Sequence, residues 1–314
     1  MISVGKAVEI LKRGGIVAIP TETVYGLAGN AFSETAVAKI FAAKERPFFD
    51  PLIAHIAEFG EIETLAENIP KTAKILADAF WPGPLTLVLN KKNSVPNLTS
   101  GGLSTIAVRM PRHKIAREII KQAGFALAAP SANMFQRLSP TSAKHVLEQL
   151  GERIDGIVDG GACEVGVEST VVGFENEAPV IYRPGAVTKE MIESLGYKVC
   201  DIKSSPNSKL LSPGMLEKHY SPNTPLSLGL PTDVPQNSGL LAFGELPANS
   251  CSFAKILNLS ASGDLVEAAA NFYEMLHELD SLGLSGVFAV KLPETGLGVA
   301  VNDRLAKAAA SQAK

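Results

Sequence analysis

The sequence of 314 residues lacks several features that would define its class at once. Its three cysteines, Cys163, Cys200 and Cys251, are too few and too far apart for a disulfide framework or a zinc knuckle. The formal net charge is −3, so the chain as a whole does not attract nucleic acid or an anionic membrane surface. It has no apolar run of the roughly 18 residues that a membrane span needs, and no signal-peptide pattern at its start. We therefore expect a protein of the reducing cytoplasm without a membrane partner.

Common catalytic and phosphate-binding motifs are also missing. The sequence has no G-x-x-x-x-G-K-[ST] phosphate loop and no G-x-S-x-G nucleophile elbow. Its one G-x-G, at Gly296–Gly298, is a weak match to a dinucleotide fingerprint, and the histidines are scattered rather than paired at metal-binding spacing. A covalent nucleophile is therefore not indicated, and an anion site has to come from residues that are distant in sequence.

Hydrophobic periodicity predicts two α/β units. Helices and strands alternate through 1–200 and become strand-rich near the end of this region, which predicts a large domain with a twisted, mixed sheet. Serine, proline and asparagine dominate 201–236, which is expected to be a long linker. The pattern over 237–314, with an amphipathic helix at Asp264–Leu282, predicts a smaller, Rossmann-like α/β domain. The strands predicted for the large domain are Ile16–Ile19, Leu52–Ile56, Leu85–Leu89, Ser104–Met110, Phe125–Ala129, Gly156–Val158, Ser169–Phe174 and Val180–Arg183. The helices predicted for it are Val4–Arg13, Glu34–Ala43, Ile62–Glu67, Lys71–Phe80, His113–Ala123, Ser142–Leu150 and Thr188–Ser194.

The stretch from Lys44 to His55 carries the strongest local indication of an anion site. Lys44 and Arg46 stand two residues apart, and Pro47 and Pro51 restrict the backbone that follows them. A stiff loop of this kind can hold two cations at a fixed spacing. A single K-x-R is more often an ordinary pair of surface cations, so the interpretation depends on matching groups elsewhere in the chain.

Further cations and hydroxyl groups stand where predicted strands end. Strand ends of an α/β sheet converge on a common rim where ligands bind. Arginines there can bind phosphate or carboxylate, and hydroxyl or amide groups can bind phosphate or ribose oxygens. These residues are Thr23, Lys44, Arg46, Thr105, Arg109, Ser131, Asn133, Ser139, Ser169, Thr170 and Arg183. Each alone has a structural explanation, as a sheet-edge ion pair or a turn residue. Together they favour a site for a nucleotide beside a small acid, with catalysis by positioning and charge neutralisation.

Several motifs together resemble the YrdC-like threonylcarbamoyl-adenylate synthases in their two-domain form. They are Pro20–Leu27, Lys44-x-Arg46-Pro47 with Pro51-Leu52-Ile53, Ser131-x-Asn133, Gly166–Val172, Arg183-Pro184-Gly185, and Ser212-Pro213-Gly214 with His219-Tyr220-Ser221-Pro222. Members of that family make threonylcarbamoyl-AMP from L-threonine, bicarbonate and ATP with Mg²⁺, and release pyrophosphate. The resemblance implies a cytoplasmic nucleotidyltransferase whose product passes to the machinery that forms threonylcarbamoyladenosine in tRNA.

The resemblance also implies a role for each matching residue. Lys44 and Arg46 would be catalytic. The residues implied for L-threonine are Thr23, His55, Arg109, Ala129 and Ser169. The residues implied for ATP are Arg46, Asp50, Thr105, Ser131, Asn133, Ser139, Arg183, His219 and Tyr220. The linker near the last two would close over the site and exclude water. Asp50 stands where the family often has asparagine, and an aspartate would repel phosphate unless it binds Mg²⁺ or turns away. No metal ligands are assigned.

Two alternatives stay open from the sequence. The first is an RNA-binding or regulatory module that keeps a nucleotide cleft without synthase activity. Its support is the basic series Arg112, His113, Lys114, Arg117 and Lys121, although such a series is more often a solvated helix face. Direct contact with tRNA is left open. The second is an adenylating or carbamoylating enzyme that uses another amine. Release of pyrophosphate that depends on threonine separates these possibilities.

Overall fold

The computed structural model describes residues 1–200 and 219–310, in which helices and strands alternate. The strands are β1 (Val17–Ile19), β2 (Gly26–Asn30), β3 (Ile53–His55), β4 (Ala66–Glu67), β5 (Leu85–Lys91), β6 (Thr105–Arg109), β7 (Leu127–Ala128), β8 (Thr170–Glu175), β9 (Ala178–Arg183), β10 (Leu226–Leu228), β11 (Ser238–Ala242), β12 (Lys255–Asn258) and β13 (Gly286–Ala289). The α-helices are α1 (Val4–Lys12), α2 (Glu34–Lys44), α3 (Ile62–Leu65), α4 (Lys71–Phe80), α5 (Lys114–Ala123), α6 (Ala143–Leu150), α7 (Lys189–Glu193), α8 (Leu265–Ser281) and α9 (Leu297–Ala310).

The first sheet is mixed and is covered by helices on both faces. Its strand order is β1-β2-β7-β3-β6-β5-β8-β9, with β4 also paired to β5. The pairs β3/β6 and β5/β8 are parallel and the others are antiparallel. Side chains of α1 and α5 form one core with the sheet, and those of α2, α4 and α6 form another. The central strands are apolar on both faces because both faces are buried.

Short polar residues fix where several helices begin. At each of these positions the side chain accepts a hydrogen bond from a backbone N–H in the first turn, which satisfies a donor that the helix itself leaves free. The capping residues are Ser3, Ser33, Ser142, Thr188 and Asp264. At the other end, Gly124 stops α5 with φ 80°, a conformation that glycine adopts without strain. These local signals are why the predicted helix boundaries lie close to the observed ones.

The second sheet is parallel throughout, with the order β10-β13-β11-β12. Helices α8 and α9 share its core, in which Phe272, Leu276 and Val301 are buried. Strand β10 lies inside the segment 201–236 that composition assigns to the linker, so this part of the predicted linker belongs to the second sheet. Residues 201–218 of that segment, including the Ser212-Pro213-Gly214 motif, lie outside the described residues. Within the described ranges, none of the helices combines the length and apolar character needed to cross a membrane.

Three local predictions differ from the structure. Gly156–Val158 is not a strand but makes a single bridge, between Ile157 and Ala18, because the edge strand β1 is only three residues long. Strand β2 was not predicted, since its glycine and alanine residues give little β signal. The predicted helix Ile62–Glu67 ends at Leu65, after which the extended residues of β4 pair with β5.

The two sheets belong to units that contact each other directly. Gly166, in the loop before β8, has φ 74°, and a Cβ added there would lie 2.2 Å from the carbonyl oxygen of Ala269 in α8. Only glycine allows this approach of the two backbones. The loop that follows Gly166 carries Glu168 and Ser169 to the rim of the first sheet, so contact with α8 helps to place these residues.

Candidate active site

A cavity opens at the rim of the first sheet. There the loops that follow several strands meet the part of the linker segment that the structure describes. The predicted substrate-binding residues that line it are Thr23, Arg46, His55, Arg109, Ala129, Ser131, Ser169, Arg183, His219 and Tyr220. Of the predicted residues, all of which are described, Lys44, Asp50, Thr105, Asn133 and Ser139 do not line it. The structure thus brings together in one cavity the four groups on which the interpretation depended, Arg46, Arg109, Ser131 and Arg183.

Arg109 and Thr23 define one side of the cavity. Arg109 stands at the end of β6 opposite His55 of β3, so the parallel register puts both on the same edge. Its guanidinium donates to Thr23 Oγ1 at 2.9 Å and to Glu22 Oε1 at 2.7 Å. Burial would raise the pKa of the Glu22 carboxyl, but the charge of Arg109 lowers it, so Glu22 is ionised. Glu22 was not predicted as a site residue, although it lies within the Pro20–Leu27 motif.

His55 is a neutral member of this side. Burial first, and then the positive charge of Arg109, lower its pKa to about 3. Its ring Nδ1 lies 3.2 Å from the carbonyl oxygen of Ile53. The neutral ring of His55 therefore contributes hydrogen bonding and shape, and it does not add a second positive charge beside Arg109.

The two cations of the K-x-R loop, Lys44 and Arg46, lie at different depths from the cavity. Lys44 is buried behind the cavity wall, where Nζ donates to the carbonyl oxygens of Ser131, at 2.6 Å, and Asn133. Burial, and then the charge of Arg46, hold the pKa of Lys44 well below its usual range. Arg46 reaches the cavity and pairs with Asp50 at 2.9 Å. Lys44, predicted as a catalytic residue, thus contacts the turn that carries Ser131 and does not itself line the cavity.

Asn133 and Thr105 are placed outside the cavity by their local structure. The amide of Asn133 donates to the carbonyl oxygens of Met134 and Arg137 at 2.8 and 2.9 Å, so it shapes the turn after Ser131. Thr105 begins β6, opposite Asn90 of β5 and at the other end of the strand from Arg109. Sequence spacing alone does not show which end of a strand faces the rim.

Ser169 and Arg183 form a further part of the cavity wall. Arg183, the last residue of β9, donates to the carbonyl oxygen of Ser169 at 2.9 Å and to its Oγ at 3.2 Å. The Ser169 hydroxyl also lies 2.8 Å from Thr86 Oγ1 in β5. A Cβ on Gly185 would come within 2.4 Å of the Thr170 N, so the turn after Arg183 packs tightly against this strand.

Glu168 is a buried acid next to Ser169 that was not predicted as a site residue. It lines the cavity, and its Oε1 accepts hydrogen bonds from Ser139 Oγ at 2.6 Å and from the Tyr273 hydroxyl at 2.9 Å. Its Oε2 accepts from Arg304 Nε at 3.0 Å. Burial would raise the pKa of this carboxyl, but Arg304 and Arg183 lower it to about 2. Ser139 therefore supports Glu168 and does not face the cavity itself.

His219 and Tyr220 close the cavity from the linker side. Both are buried, and their rings lie 3.9 Å apart. Burial holds the pKa of His219 well below its usual range, and its Nδ1 makes no hydrogen bond to any described residue. Tyr220 has φ 62°, which is a strained conformation for an aromatic residue and persists only when its surroundings fix it.

Comparisons with known proteins agree with this geometry. The Sua5/YciO/YrdC family model, described as "Telomere recombination", matches residues 9–185, and a model described as "Threonylcarbamoyl-AMP synthase, C-terminal domain" matches 187–310. The threonylcarbamoyl-AMP synthase of Pyrococcus abyssi is 40% identical over 96% of this chain and 92% of its own length. The one from Bacillus subtilis is 40% identical over 98% and 92%.

The chain belongs to the threonylcarbamoyl-AMP synthase family. The crystal structure of P. abyssi Sua5 complexed with L-threonine superposes with a TM-score of 0.87, at 38% identity over 98% of this chain and 94% of that one. A variant of the same protein, in which a consecutive histidine and tyrosine are replaced by alanine, gives 0.88. These findings confirm the family, the α/β fold class and the enzyme class that the motifs predicted.

Proposed function

We propose that this cavity binds L-threonine and ATP side by side and forms threonylcarbamoyl-AMP from them and bicarbonate, with release of pyrophosphate. The observation that carries the proposal is the meeting of Arg46, Arg109 and Arg183 in one cavity with the hydroxyl groups of Thr23 and Ser169. A site of this kind can hold an amino acid and a polyphosphate at the same time, which turns their reaction into an effectively unimolecular step.

The side formed by Arg109 suits L-threonine. Arg109 would bind the substrate carboxylate, since charge-assisted hydrogen bonds from a guanidinium fit that group. The hydroxyl groups of Thr23 and Ser169 would meet the substrate hydroxyl, and neutral His55 would add contact without charge. The relative crystallised with L-threonine supports an amino-acid site in this family fold.

The side formed by Arg46 and Arg183 suits the phosphates of ATP. The amine of threonine takes up carbon dioxide, derived from bicarbonate, and loses a proton to give a carbamate. A carbamate oxygen then attacks the α-phosphorus, and the bond from that phosphorus to the pyrophosphate oxygen breaks. Arg46 and Arg183 would reduce the repulsion between the two anions and stabilise the leaving pyrophosphate. Lys44 would act by fixing the Ser131 turn. Nδ1 of His219, which has no hydrogen-bond partner among the described residues, would meet a phosphate oxygen.

Mg²⁺ fits this arrangement if it enters with the nucleotide. Within residues 1–200 and 219–310, no group of three or more His, Cys, Asp and Glu side chains is arranged to hold a metal ion. The Asp50 carboxylate is buried and ion-paired with Arg46, yet among the described residues neither oxygen has a hydrogen-bond donor in good geometry. Protein Mg²⁺ sites often use one or two carboxylates together with phosphates, but Asp50 is paired with Arg46 and does not line the cavity, so the phosphates of ATP would supply most of the ligands. When bound, the ion neutralises phosphate charge.

The carbamate and the mixed anhydride both hydrolyse easily, so we propose that closure by the linker protects them. His219 and Tyr220 would exclude water from the loaded cavity. The product would then pass in the cytoplasm to the tRNA threonylcarbamoyl-transferase machinery. Both steps are proposals that rest on the family.

The proposal is tested by incubating the chain with ATP, L-threonine and ¹³C-bicarbonate and analysing the products by mass spectrometry. We expect a labelled threonylcarbamoyl-AMP and pyrophosphate that depends on threonine. An RNA-binding module would give neither product, and an enzyme for another amine would respond to a different amino acid in a panel. Absence of the labelled adenylate with every amino acid tested would overturn the proposal.

Arg46→Ala and Lys44→Ala test the two cations of the K-x-R loop. We expect both to abolish pyrophosphate release while circular dichroism shows an intact fold, because one removes a phosphate contact and the other frees the Ser131 turn. Lys39→Ala is a matched control, since this exposed lysine of the same helix contacts only the carbonyl oxygen of Gly14 among the described residues. Full activity in either site variant would contradict the assignment.

A further inference from the structure

Arg304 connects the C-terminal unit to the cavity, although no motif singled it out. This residue of α9 is fully buried. Its Nε donates to Glu168 Oε2 at 3.0 Å, and its Nη1 donates to the carbonyl oxygen of Pro184 at 2.7 Å. Its guanidinium carbon lies 5.4 Å from the centre of the Tyr220 ring, within the range of a cation–π contact.

These three contacts fall beside residues on the nucleotide side of the cavity. Pro184 follows Arg183 directly, and Tyr220 closes the cavity from the linker. Glu168 lines the cavity and holds the hydroxyl of Ser139, a residue that the family resemblance implies for ATP. One side chain of the second unit therefore contacts three separate segments that line or support the cavity, and each segment comes from a different part of the chain.

Cohesion between the two units does not by itself explain a buried arginine here. A buried ion pair is often no more stabilising than apolar residues of similar size. In addition, Nη2 of Arg304 is buried without a hydrogen-bond partner among the described residues, and an unsatisfied buried donor is destabilising. A planar guanidinium can bind a carboxylate, a carbonyl oxygen and an aromatic face at the same time, and these are the three groups that Arg304 contacts.

We propose that Arg304 is a positioning residue, supplied by the C-terminal domain, that holds Tyr220, the Arg183 turn and Glu168 in the arrangement that binds ATP. The proposal rests on the proposed function, because it assigns Tyr220 and Arg183 to the nucleotide. It gives the C-terminal domain a direct part in substrate binding. The strained backbone of Tyr220 is consistent with a residue whose position is fixed by its neighbours.

Arg304→Lys tests this role because lysine keeps the charge opposite Glu168 but cannot also bind Pro184 and cover the Tyr220 ring. We expect the KM for ATP to rise tenfold or more, with the KM for threonine within twofold of wild type. A residue that only joins the domains would lower kcat in proportion to the unfolded fraction and leave both KM values unchanged. The proposal would be overturned by that result. It would also be overturned by an unaltered enzyme or by a rise confined to the KM for threonine.

A double-mutant cycle tests the contact with Tyr220. Tyr220→Leu removes the aromatic face, so Arg304→Lys should have little further effect on the KM for ATP in that background. If Arg304→Lys raised the KM for ATP by the same factor with and without Tyr220→Leu, the coupling between Arg304 and Tyr220 would be contradicted. Should Arg304→Lys fail to fold, Glu168→Gln reports on the same contact, because glutamine still accepts from Ser139 and Tyr273 but forms no ion pair. A wild-type KM for ATP in that variant would overturn the proposal.

The control is Glu274→Gln, which weakens a different contact between the units. Glu274 of α8 lies 3.4 Å from His145 Nε2 and is largely exposed, away from the cavity. We expect wild-type KM values from this variant. Wild-type enzyme is assayed in parallel, so that a failure of the proposed function, seen as no labelled adenylate from wild type, is distinguished from a failure of the role of Arg304.

Discussion

Two arginines in the cavity are paired with acids before any substrate binds. Arg46 pairs with Asp50 at 2.9 Å and Arg109 pairs with Glu22 at 2.7 Å, and all four side chains are buried. An unpaired buried charge is costly, so these acids allow the arginines to be buried at the cavity wall. A substrate anion then binds to an existing pair. The affinity for a substrate anion should therefore depend more on the direction of the guanidinium hydrogen bonds than on the net charge of the cavity.

Arg109→Lys tests this expectation. Lysine keeps the charge beside Glu22, but it cannot donate hydrogen bonds to Glu22, Thr23 and a substrate carboxylate from one rigid planar group. Hydrogen bonds to charged groups contribute about 1.5–3 kcal/mol, so we expect the KM for threonine to rise about 10–100-fold while the KM for ATP changes little. Pyrophosphate release, measured against the concentration of each substrate, separates the two values.

Arg112→Lys is the matched control for this measurement. Arg112 lies three residues further along the chain, and its exposed side chain pairs with Glu164 at 2.9 Å outside the cavity. It should behave as wild type. If Arg109→Lys instead raised the KM for ATP alone, the assignment of this side of the cavity to threonine would be wrong.

At the scale of elements, the sequence predicted the helices and apolar strands well because their signals are local. Capping residues such as Ser33 and Asp264 act within one helical turn, and their side chains do cap α2 and α8. Strand β2 was missed because its small residues gain stability only from neighbours that are distant in sequence. The strand predicted at Gly156–Val158 failed for the converse reason, since its apolar residues find only a three-residue edge strand to pair with.

The site was predicted only as far as motifs and strand ends could show it. Glu22 and Glu168 lie within motifs that were recognised, but nothing local indicated that each would pair with an arginine far along the chain. Lys44 was recognised, yet its place behind the wall follows from the turn after Ser131. Arg304 gave one available signal, because it stands at helical spacing among the apolar residues Val301, Leu305 and Ala308 of α9, and a charged residue on such a face usually has a buried partner.

Gly166→Ala tests the contact between the loop before β8 and helix α8. Alanine must adopt φ 74° and place Cβ 2.2 Å from a backbone oxygen that cannot move freely. The conformational cost of about 1 kcal/mol and the overpacking cost of about 1–3 kcal/mol predict a loss of roughly 2–4 kcal/mol. Urea denaturation measures it. Gly161→Ala is the control, because Gly161 has φ 80° with nothing within 4 Å, and it should show the conformational cost alone. Equal losses in both variants would contradict a tight contact at Gly166.

At the scale of the whole molecule, the surface gives the RNA-binding alternative little support. The basic series on and before α5 is partly neutralised, since Arg112 pairs with Glu164 and Lys121 pairs with Glu58, each at 2.9 Å. These exposed pairs contribute little stability, but they reduce the positive field on this face. The identity to synthases across nearly the whole chain also favours the enzyme.

The interface between the two units contains a pair of stacked histidines. His145 of α6 and His277 of α8 lie 3.8 Å apart with an angle of 20° between their rings, and His277 Nε2 is 3.1 Å from the carbonyl oxygen of Ser139. Burial is the main cause that lowers the pKa of each ring to about 4. Nearby positive charge lowers it further, from Lys144 in the case of His145 and from His145 in the case of His277. Both rings are therefore neutral at pH 7, and protonation of either would place charge in the interface.

The pH dependence of stability follows from these lowered pKa values. Below about pH 6.5 the unfolded chain takes up protons on both histidines and the folded chain does not, so stability is complete above that pH and falls as the pH drops toward 4. We expect a loss of at most about 2 kcal/mol for each ring between pH 7.5 and pH 5. His277→Asn should lose less over this range, because it removes one titrating group and relieves the other ring. Urea denaturation of both proteins at the two pH values measures the difference, with His113→Gln, outside the interface, as the control. Buried His55 and His219 have pKa values lowered in the same direction in all three proteins, so their contributions cancel in the comparison. An identical pH dependence in wild type and His277→Asn would show that the stacked pair does not couple protonation to the interface.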